Sequence, residues 1–155
     1  MIEIERKFLV NSNAFKDSYL KKTHIKQAYL NSDPNRSVRV RIKANKGFLT
    51  IKGKGNASGT SRYEWEKEIS FKEAEELFLL CEPGAIAKYR YEVNYLGSLY
   101  EVDEFLEDNQ GLVIAELELN NEEQSFNKPI WLGKEVTGDV KYYNSQLVKN
   151  PFAKW

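Results

Sequence analysis

One pattern constrains the fold of this chain more than any other: charged and hydrophobic residues alternate with a period of two. The first example is Met1–Val10, in which Glu3, Glu5 and Lys7 fall on one side and Ile2 and Ile4 on the other. Successive side chains of a β-strand point to opposite faces, so this period is typical of a half-buried strand. The same alternation recurs along most of the chain and predicts a protein built mainly from strands.

In the later strands, the charged face carries a single sign. The basic faces hold Arg39, Arg41 and Lys43, then Lys52 and Lys54, and then Lys88 and Arg90. The acidic faces hold Glu64, Glu66 and Glu68, then Glu101 and Asp103, and then Glu116 and Glu118. Like charges two residues apart on a pleated face repel each other, so strands of this kind cost stability unless something compensates.

Two arrangements would accommodate these strands. In an open sheet, the charged face would simply be solvated. In a closed sheet, acidic and basic strands would face each other across a lumen, which would suit a polyanionic ligand that arrives with divalent cations. Guanidinium and ammonium groups would bind the anion, and carboxylates would bind the metal.

Composition limits the class of protein. The 155 residues include 41% hydrophobic and 13% aromatic residues, which favours one folded domain spanning 1–155 over a disordered chain. Lysines plus arginines number 23, as do aspartates plus glutamates, so net charge does not point to nucleic acid or to an acidic membrane. The sequence has no signal-peptide pattern and no long apolar run, so we expect a soluble, cytoplasmic protein.

The pattern predicts about eight antiparallel strands with a few helices, an α+β protein whose sheet can close on itself. We expect a helix in Asn11–Lys22, a short one near Glu122–Phe126 and a terminal one in Tyr142–Lys149. The clearest helix follows Ser70, which forms a capping box with Glu73. Turns at Asn45–Gly47 and Leu96–Ser98 predict two hairpins.

Other features have ordinary structural readings beside functional ones. The glycine-rich segment Gly53–Ser61 has no Walker pattern and is read as a mobile connection, with a ligand-covering lid as the alternative. Cys81 is read as a core cysteine and His24 as a surface or packing residue. Aromatic residues such as Tyr63 and Trp65 alternate with the charged faces and are expected to pack on the outside of the sheet under helices, although stacking on nucleobases is the alternative.

Several motifs occur in a characteristic order over nearly the whole chain. They are Glu3-x-Glu5-x-Lys7, Gln27-Ala-Tyr29-Leu30, Val38-Arg39-Val-Arg41, Thr50-Ile-Lys52, Glu64-Trp-Glu66, Lys88-Tyr-Arg90-Tyr91, Glu101-Val-Asp103 and Glu116-Leu-Glu118. In this order the motifs resemble the CYTH superfamily, also called triphosphate tunnel metalloenzymes, and in particular its short bacterial members.

The resemblance implies a closed eight-stranded antiparallel β-barrel, a tunnel with flanking helices, that holds a triphosphate with Mg²⁺ or Mn²⁺. The residues implied to bind phosphate are Lys7, Arg39, Arg41, Lys52, Lys88 and Arg90. The residues implied to hold the metal, directly or through water, are Glu3, Glu5, Asp103, Glu116 and Glu118, with Glu64 and Glu66 as further acidic tunnel groups. Lys7 and Tyr29 match a lysine and a tyrosine that are associated with tripolyphosphatase chemistry in the short bacterial members.

The expected activity is therefore metal-dependent hydrolysis of inorganic tripolyphosphate to pyrophosphate and phosphate. On the same fold, a class IV-type adenylate cyclase or a thiamine triphosphatase remains an alternative. From another class, the chain could be a noncatalytic module that binds polyphosphate or nucleotides. The expected partner is a small-molecule triphosphate, with no nucleic acid and no membrane, and a homodimer is compatible with the sequence.

Overall fold

Nine antiparallel strands form one sheet in the computed structural model, which describes residues 1–155. The strands are β1 (Ile2–Val10), β2 (Lys21–Asn31), β3 (Arg36–Lys43), β4 (Lys46–Gly53), β5 (Ser61–Ile69), β6 (Ile86–Tyr95), β7 (Ser98–Phe105), β8 (Val113–Glu118) and β9 (Leu132–Glu135). The α-helices are α1 (Phe71–Phe78) and α2 (Asn144–Leu147). Short 3₁₀ helices span Asn13–Asp17, Glu107–Asn109, Val140–Tyr142 and Phe152–Lys154.

The sheet closes into a barrel of eight strands. The order is β5-β4-β3-β2-β6-β7-β8-β1, and an additional pairing of β1 with β5 joins the two ends. Closure gives every barrel strand two neighbours and separates an inner face from an outer face along each strand. The closed eight-stranded antiparallel barrel predicted from the sequence is thus confirmed, and the open-sheet alternative is wrong.

Strand β1 closes the barrel by changing partners along its length. Ile2–Ile4 pair with Tyr63–Ser61 of β5, and Glu5–Leu9 pair with Glu118–Ile114 of β8 on the other edge. Near its end, β1 also pairs with β9, which lies outside the eight-stranded barrel. The sequence did not predict β9, because this strand has only four residues and includes Gly133.

The larger part of the hydrophobic core lies on the outer face of the barrel. The larger cluster covers the outer side of β1, β6, β7 and β8, and it includes Phe15 and Trp131 from the connecting segments. A second cluster joins Ile86 and Phe105 to Leu147 of α2. Ile86 and Phe105 have the strand phase of Lys88 and Asp103, so this second cluster lies on the inner face, at the end of the barrel where α2 packs. The charged residues that alternate with the larger, outer cluster face the lumen.

Helix α1 packs closely against the β3–β4 hairpin. Ser70 and Glu73 form the predicted capping box, which satisfies backbone N–H groups at the start of the helix. A Cβ atom added at Gly47 would lie 2.7 Å from the Cβ atom of Ala74 and 2.9 Å from the Ser70 carbonyl oxygen. Glycine at position 47 therefore permits the close approach of the helix to the strand.

Three helix predictions differ from the structure. The predicted helix at 11–22 is only the 3₁₀ turn Asn13–Asp17, because Lys21 and Lys22 already belong to β2 and pair with β6. Residues 122–126 form a turn and an irregular segment without a helix. The terminal helix is limited to α2. No helix of the chain combines the length and the apolar character needed to span a membrane.

The first hairpin turn lies slightly earlier than predicted. Ala44 and Asn45 have φ values of 50° and 62°, and Lys43 pairs with Lys46 across the turn. Two successive positive φ values are typical of a tight two-residue hairpin turn, in which asparagine is tolerated well. Gly47, which suggested the later turn, instead lies within β4 beneath α1.

Some side chains lie in environments that the sequence did not indicate. Cys81 follows α1 and is only partly buried, so the core assignment was wrong. Tyr63 and Trp65 lie on the outer face of β5, as predicted, but no helix covers them and they are 50% and 40% exposed. His24 is exposed and contacts the edge of Tyr89, in agreement with the reading as a surface or packing residue.

Candidate active site

The barrel encloses a cavity of about 210 Å³ whose wall is almost entirely polar. Its cationic lining residues are Lys7, Arg39, Arg41, Lys43, Lys52, Arg62, Lys88 and Arg90. Its anionic lining residues are Glu3, Glu5, Glu64, Glu66, Glu101, Glu116 and Glu118. Charges of both signs therefore share one lumen in a protein whose formal net charge is zero.

The structure brings the predicted site residues together, with one exception in placement. Every predicted phosphate-binding residue lines the cavity, as do Tyr29 and the predicted carboxylates Glu3, Glu5, Glu64, Glu66, Glu116 and Glu118. Asp103 does not line it, because its side chain is fully buried behind Lys88 and Arg90.

The two arginines of β3 that line the cavity have hydrogen-bonding capacity that the protein does not use. Arg39 donates to Thr50 Oγ1 and lies 3.5 Å from a Glu66 oxygen, but its buried Nε has no hydrogen-bond partner. Arg41 has no carboxylate within 4.0 Å and donates only to the side-chain oxygen of Gln27. Buried donors are normally satisfied, so these guanidinium groups are suited to receive an anion from the cavity.

Burial and like charge both act on Arg41. Its desolvation, together with the nearby guanidinium groups of Arg39 and Arg90, lowers its pKa to about 9. An anion placed between these groups would replace their mutual repulsion with attraction. This part of the lumen therefore favours a ligand with several negative charges.

The cations of β6 are anchored from behind by Asp103. Lys88 Nζ donates to Asp103 Oδ2 at 2.7 Å, and Arg90 makes two hydrogen bonds to the same carboxylate at 2.7 and 2.8 Å. Arg90 also reaches Glu101 and Glu116, both at 3.0 Å. Burial, and the repulsion from Arg90 and Arg41, lower the pKa of Lys88 to about 7 although Asp103 opposes that shift.

On the opposite wall, cations and carboxylates alternate. Lys52 Nζ lies 2.9 Å from Glu3 and 3.2 Å from Glu64, so it pairs with two carboxylates at once. Lys7 Nζ lies 3.4 Å from Glu116 and 3.9 Å from Glu5. Burial lowers the pKa of Lys7, but the carboxylates of Glu116 and Glu5 outweigh that effect and raise it.

Glu5 and Glu116 form a crowded carboxyl pair. Burial, and then the charge of Glu116, raise the pKa of Glu5 to about 8. Burial also opposes the ionisation of Glu116, but Lys7 and Arg90 hold its pKa well below its usual value, and a hydrogen bond with Glu5 adds to that effect. The pair therefore shares one proton near neutral pH, and a cation would allow both groups to ionise.

These carboxylates have the chemistry of a site for a hard cation, although they are not yet arranged as one. Mg²⁺ prefers carboxylate oxygens and retains several waters, and Glu3, Glu5, Glu116 and Glu118 lie on the adjacent strands β1 and β8. As they stand, no three acidic, histidine or cysteine side chains of the chain form a group that could hold a metal ion. Asp103 is the least available predicted ligand, because Lys88 and Arg90 already occupy its oxygens.

Several lining residues were not predicted. Lys43 was placed on the basic face of its strand but not among the phosphate-binding residues, and Arg62 continues the alternation of Glu64 and Glu66, so the period-two signal could have included it. Tyr143, Asn144 and Ser145 come from the C-terminal segment and close part of the cavity wall. Nothing in their local sequence shows that this segment folds back onto the lumen.

The glycine-rich loop lies beside the same cavity. Gly59 and Thr60 line a small adjoining space together with Glu5, Lys7 and Thr137. Glu122 fastens the loop by accepting hydrogen bonds from Asn56, Thr60 and Ser61. There is no room for a Cβ atom at Gly59, because the backbone of Gly138 is in contact with it.

Comparison with known families agrees with this architecture. The family model for the CYTH domain matches residues 1–146. The chain belongs to the CYTH family. The inorganic triphosphatase of Acetivibrio thermocellus is 50% identical over 151 residues, which cover 97% of this chain and 95% of that protein. The inorganic triphosphatase of Nitrosomonas europaea is 36% identical over 152 residues, which cover 95% of this chain and 97% of that protein.

Solved structures share the CYTH barrel. The crystal structure of the inorganic triphosphatase NE1496 superposes with a TM-score of 0.68 at 34% identity, covering 94% of this chain and 97% of that one. The Hippeastrum protein HpAC1 superposes with a TM-score of 0.63 at 18% identity, covering 77% of this chain and 80% of that one. At that lower identity, the second comparison shows a common fold alone.

Proposed function

We propose that this CYTH protein is a metal-dependent hydrolase of inorganic tripolyphosphate that releases phosphate and leaves pyrophosphate. One observation carries the proposal: Arg39 and Arg41 present unused donors to a closed cavity that also holds a carboxyl cluster. A compact polyanion with a divalent cation satisfies both sets of groups. The two inorganic triphosphatases that resemble the chain over almost its whole length support the same substrate.

In this proposal, the basic residues bind and align the substrate. Phosphoryl transfer depends mainly on alignment and on neutralisation of charge, and planar guanidinium groups can bind two phosphate oxygens at once. Arg39 and Arg41 bind from β3, Lys88 and Arg90 from β6, and Lys52 from β4. Asp103 acts as an anchor that fixes the two cations of β6, and not as a metal ligand.

The carboxylates of β1 and β8 hold the divalent cation, with Glu5 and Glu116 at the centre of the set. The proton that this pair shares indicates that the neighbouring cations do not fully neutralise its two carboxyl groups. Bound Mg²⁺ or Mn²⁺ would supply further positive charge, neutralise phosphate oxygens and orient a water molecule. Glu3 and Glu118 complete the acidic set, while Glu64 and Glu66 balance Lys52 and Arg39.

Lys7 and Tyr29 are proposed to act at the reacting phosphate. Lys7 lines the cavity beside Glu116 and Glu5, where its ammonium group can stabilise charge that develops on the transferred group. Tyr29 is 4% exposed and lines the cavity, so its hydroxyl group can orient a water molecule or a leaving oxygen. Both residues touch the substrate in this proposal and are therefore treated as catalytic.

A phosphate-release panel tests the function. The protein is incubated with tripolyphosphate, ATP, thiamine triphosphate or pyrophosphate, each with Mg²⁺, with Mn²⁺ or with EDTA. We expect metal-dependent release of phosphate from tripolyphosphate, in preference to the other compounds. Formation of cyclic AMP from ATP, selective hydrolysis of thiamine triphosphate, or tight binding without turnover would each contradict the proposal and identify the function that replaces it.

A further inference from the structure

Two carboxamide side chains connect the cations of β3 and β6 at the wall of the cavity. Gln27 is fully buried on β2, and Asn144 lies at the start of α2. The Gln27 oxygen accepts hydrogen bonds from Arg41 Nε at 3.2 Å and from Arg41 Nη2 at 3.1 Å. The Asn144 oxygen accepts from Gln27 Nε2 and from Lys88 Nζ, both at 2.9 Å.

The donors and acceptors of these groups permit one orientation of the two amides. Arginine and lysine only donate, so the oxygen of Gln27 must face Arg41 and the oxygen of Asn144 must face Lys88. The nitrogen of Gln27 then points at Asn144 and finds an acceptor there. The four residues therefore form a continuous network of hydrogen bonds that starts at Arg41 on β3 and at Lys88 on β6 and converges on the Asn144 oxygen.

An amide at position 27 fixes Arg41 without cancelling its charge. Arg90, Lys52 and Lys7 are each paired with carboxylates in the lumen, whereas Arg41 has none within 4.0 Å. A carboxylate at position 27 would form an ion pair with Arg41 and could not donate to Asn144. A neutral acceptor keeps the guanidinium group in place and leaves its charge for an anion.

We propose that Gln27 and Asn144 act as a pair of positioning residues that set Arg41 and Lys88 for the substrate. The proposal rests on the proposed triphosphatase function and adds a role for two residues that do not themselves touch the reacting atoms. The proposal also assigns a role to α2, because Asn144 of this helix links Gln27 to Lys88 on β6. Gln27 Nε2 lies 3.5 Å from the Tyr29 hydroxyl group, so the same amide borders the proposed catalytic tyrosine.

Three variants test the pair. Gln27→Glu keeps the size of the side chain and introduces the negative charge, so it should raise KM for tripolyphosphate by roughly tenfold or more while changing kcat less. Gln27→Leu and Asn144→Leu each break the chain of hydrogen bonds and should lower kcat. The double variant Gln27→Leu/Asn144→Leu should be hardly worse than the more damaging single change, because both remove one connected unit.

Gln146→Leu is the matched control, since Gln146 lies on the same helix and donates to the backbone oxygen of Ser32 outside the lumen. It should leave kcat and KM unchanged. Thermal unfolding of each variant establishes that it folds, and isothermal titration calorimetry of tripolyphosphate without metal measures binding independently of turnover. Weaker binding by folded Gln27→Glu supports the proposal.

Unchanged metal-free binding by Gln27→Glu, or strictly additive effects of the two leucine substitutions, would overturn the positioning role. If the wild-type protein hydrolyses no tripolyphosphate, the proposed function fails. The calorimetric comparison still decides the amide pair in that case, because it needs only binding of the anion. The two failures are therefore distinguishable.

Discussion

At the scale of single residues, Arg41 is the clearest example of a side chain that favours ligand binding over stability. Its position suits an anionic ligand but contributes little to the stability of the ligand-free protein. It is surrounded by Arg39 and Arg90, and its only hydrogen-bond acceptor is neutral. Removing a partly buried charge that has no carboxylate partner costs little or can stabilise a protein. The same removal should weaken binding of a polyanion.

Arg41→Gln should therefore leave the free energy of unfolding of the metal-free protein unchanged or raise it by about 1 kcal/mol. Its affinity for tripolyphosphate should fall by roughly tenfold or more, the value of one charge-assisted hydrogen bond. Urea denaturation and calorimetry measure the two effects. Arg36→Gln makes the same change on the same strand at a side chain that is 77% exposed, and should alter neither quantity appreciably. Marked destabilisation by Arg41→Gln would show that the arginine is structural.

The raised pKa of Glu5 leads to a prediction of how the stability of the protein depends on pH. The pKa of Glu5 rises from the usual 4.5 to about 8 in the folded protein, so between these values the folded state keeps a proton that the unfolded chain has released. The resulting stabilisation is fully present below pH 4.5 and is lost as pH rises towards 8. Between pH 5 and 7, the free energy of unfolding of the wild type in EDTA should fall relative to that of Glu5→Gln.

Urea denaturation at the two pH values measures this difference, and Glu75→Gln on the exposed face of α1 controls for the loss of one carboxylate. Equal pH dependence of wild type and Glu5→Gln would refute the shared proton. Glu5→Gln should also abolish metal-dependent turnover, because it removes a central oxygen ligand of the proposed cation site.

The sequence predicted most of the lining residues because their direction follows from strand phase alone. Arg39, Lys88 and Glu116 point into the lumen wherever the strands lie in the barrel. The partners of these residues were harder to predict. Asp103 has the phase of a lumen residue but is covered by Lys88 and Arg90, and Asn144 reaches the site only through the path of the C-terminal segment.

At the scale of elements, α1 is fixed to the hairpin that carries Arg41. Position 47 has no space for a methyl group, since a Cβ atom there would meet both Ala74 and the backbone of α1. Gly47→Ala should therefore lower the free energy of unfolding by about 1–3 kcal/mol, as overpacking commonly does. Ala74→Gly on the same background should recover part of that loss by making room.

Gly53→Ala is the matched control at the other end of β4, where the nearest atom to an added Cβ is Tyr63 Cβ at 3.6 Å. Its effect on chemical denaturation should be small. A Gly47→Ala variant as stable as the wild type would mean that α1 is free to move away from the hairpin.

The prediction of elements succeeded where the period-two signal was long and failed where local propensity was the only guide. Strands β5 and β6 have nine and ten residues, and they contain the charged faces predicted at Glu64–Glu68 and at Lys88 and Arg90. The segment after Asn11 has helical character, but pairing of Lys21 and Lys22 with β6 overrides it. The four residues of β9 are too few to show a period.

At the scale of the whole molecule, a ligand that bridges the lumen should stabilise the entire barrel. Like charges on neighbouring strands are only partly compensated when no anion is present. A ligand that binds only the folded state adds about 2.7 kcal/mol at a hundredfold excess over its dissociation constant. We therefore expect the melting temperature to rise with tripolyphosphate and divalent metal in a concentration-dependent way.

Differential scanning calorimetry measures this shift, and orthophosphate at the same ionic strength controls for screening by salt. An equal rise with orthophosphate would indicate general screening and not a site shaped for a longer anion. The closed topology was predictable from the charge pattern and the order of the motifs. The exact path of the segments outside the barrel was not, because tertiary contacts of single side chains such as Phe15 and Trp131 decide it.

The seam formed by β1 also has a consequence for how the protein is made. This strand is synthesised before all of its partners, which lie at 61–63, 114–118 and 132–135. Strand β1 therefore stays unpaired until most of the chain has been synthesised. Pairing between segments so distant in sequence makes folding slow. Charged side chains in an unpaired strand generally oppose aggregation, and Glu3, Glu5 and Lys7 supply them here. The charges proposed to bind the metal and the substrate are thus also of the kind that suits a strand which pairs late.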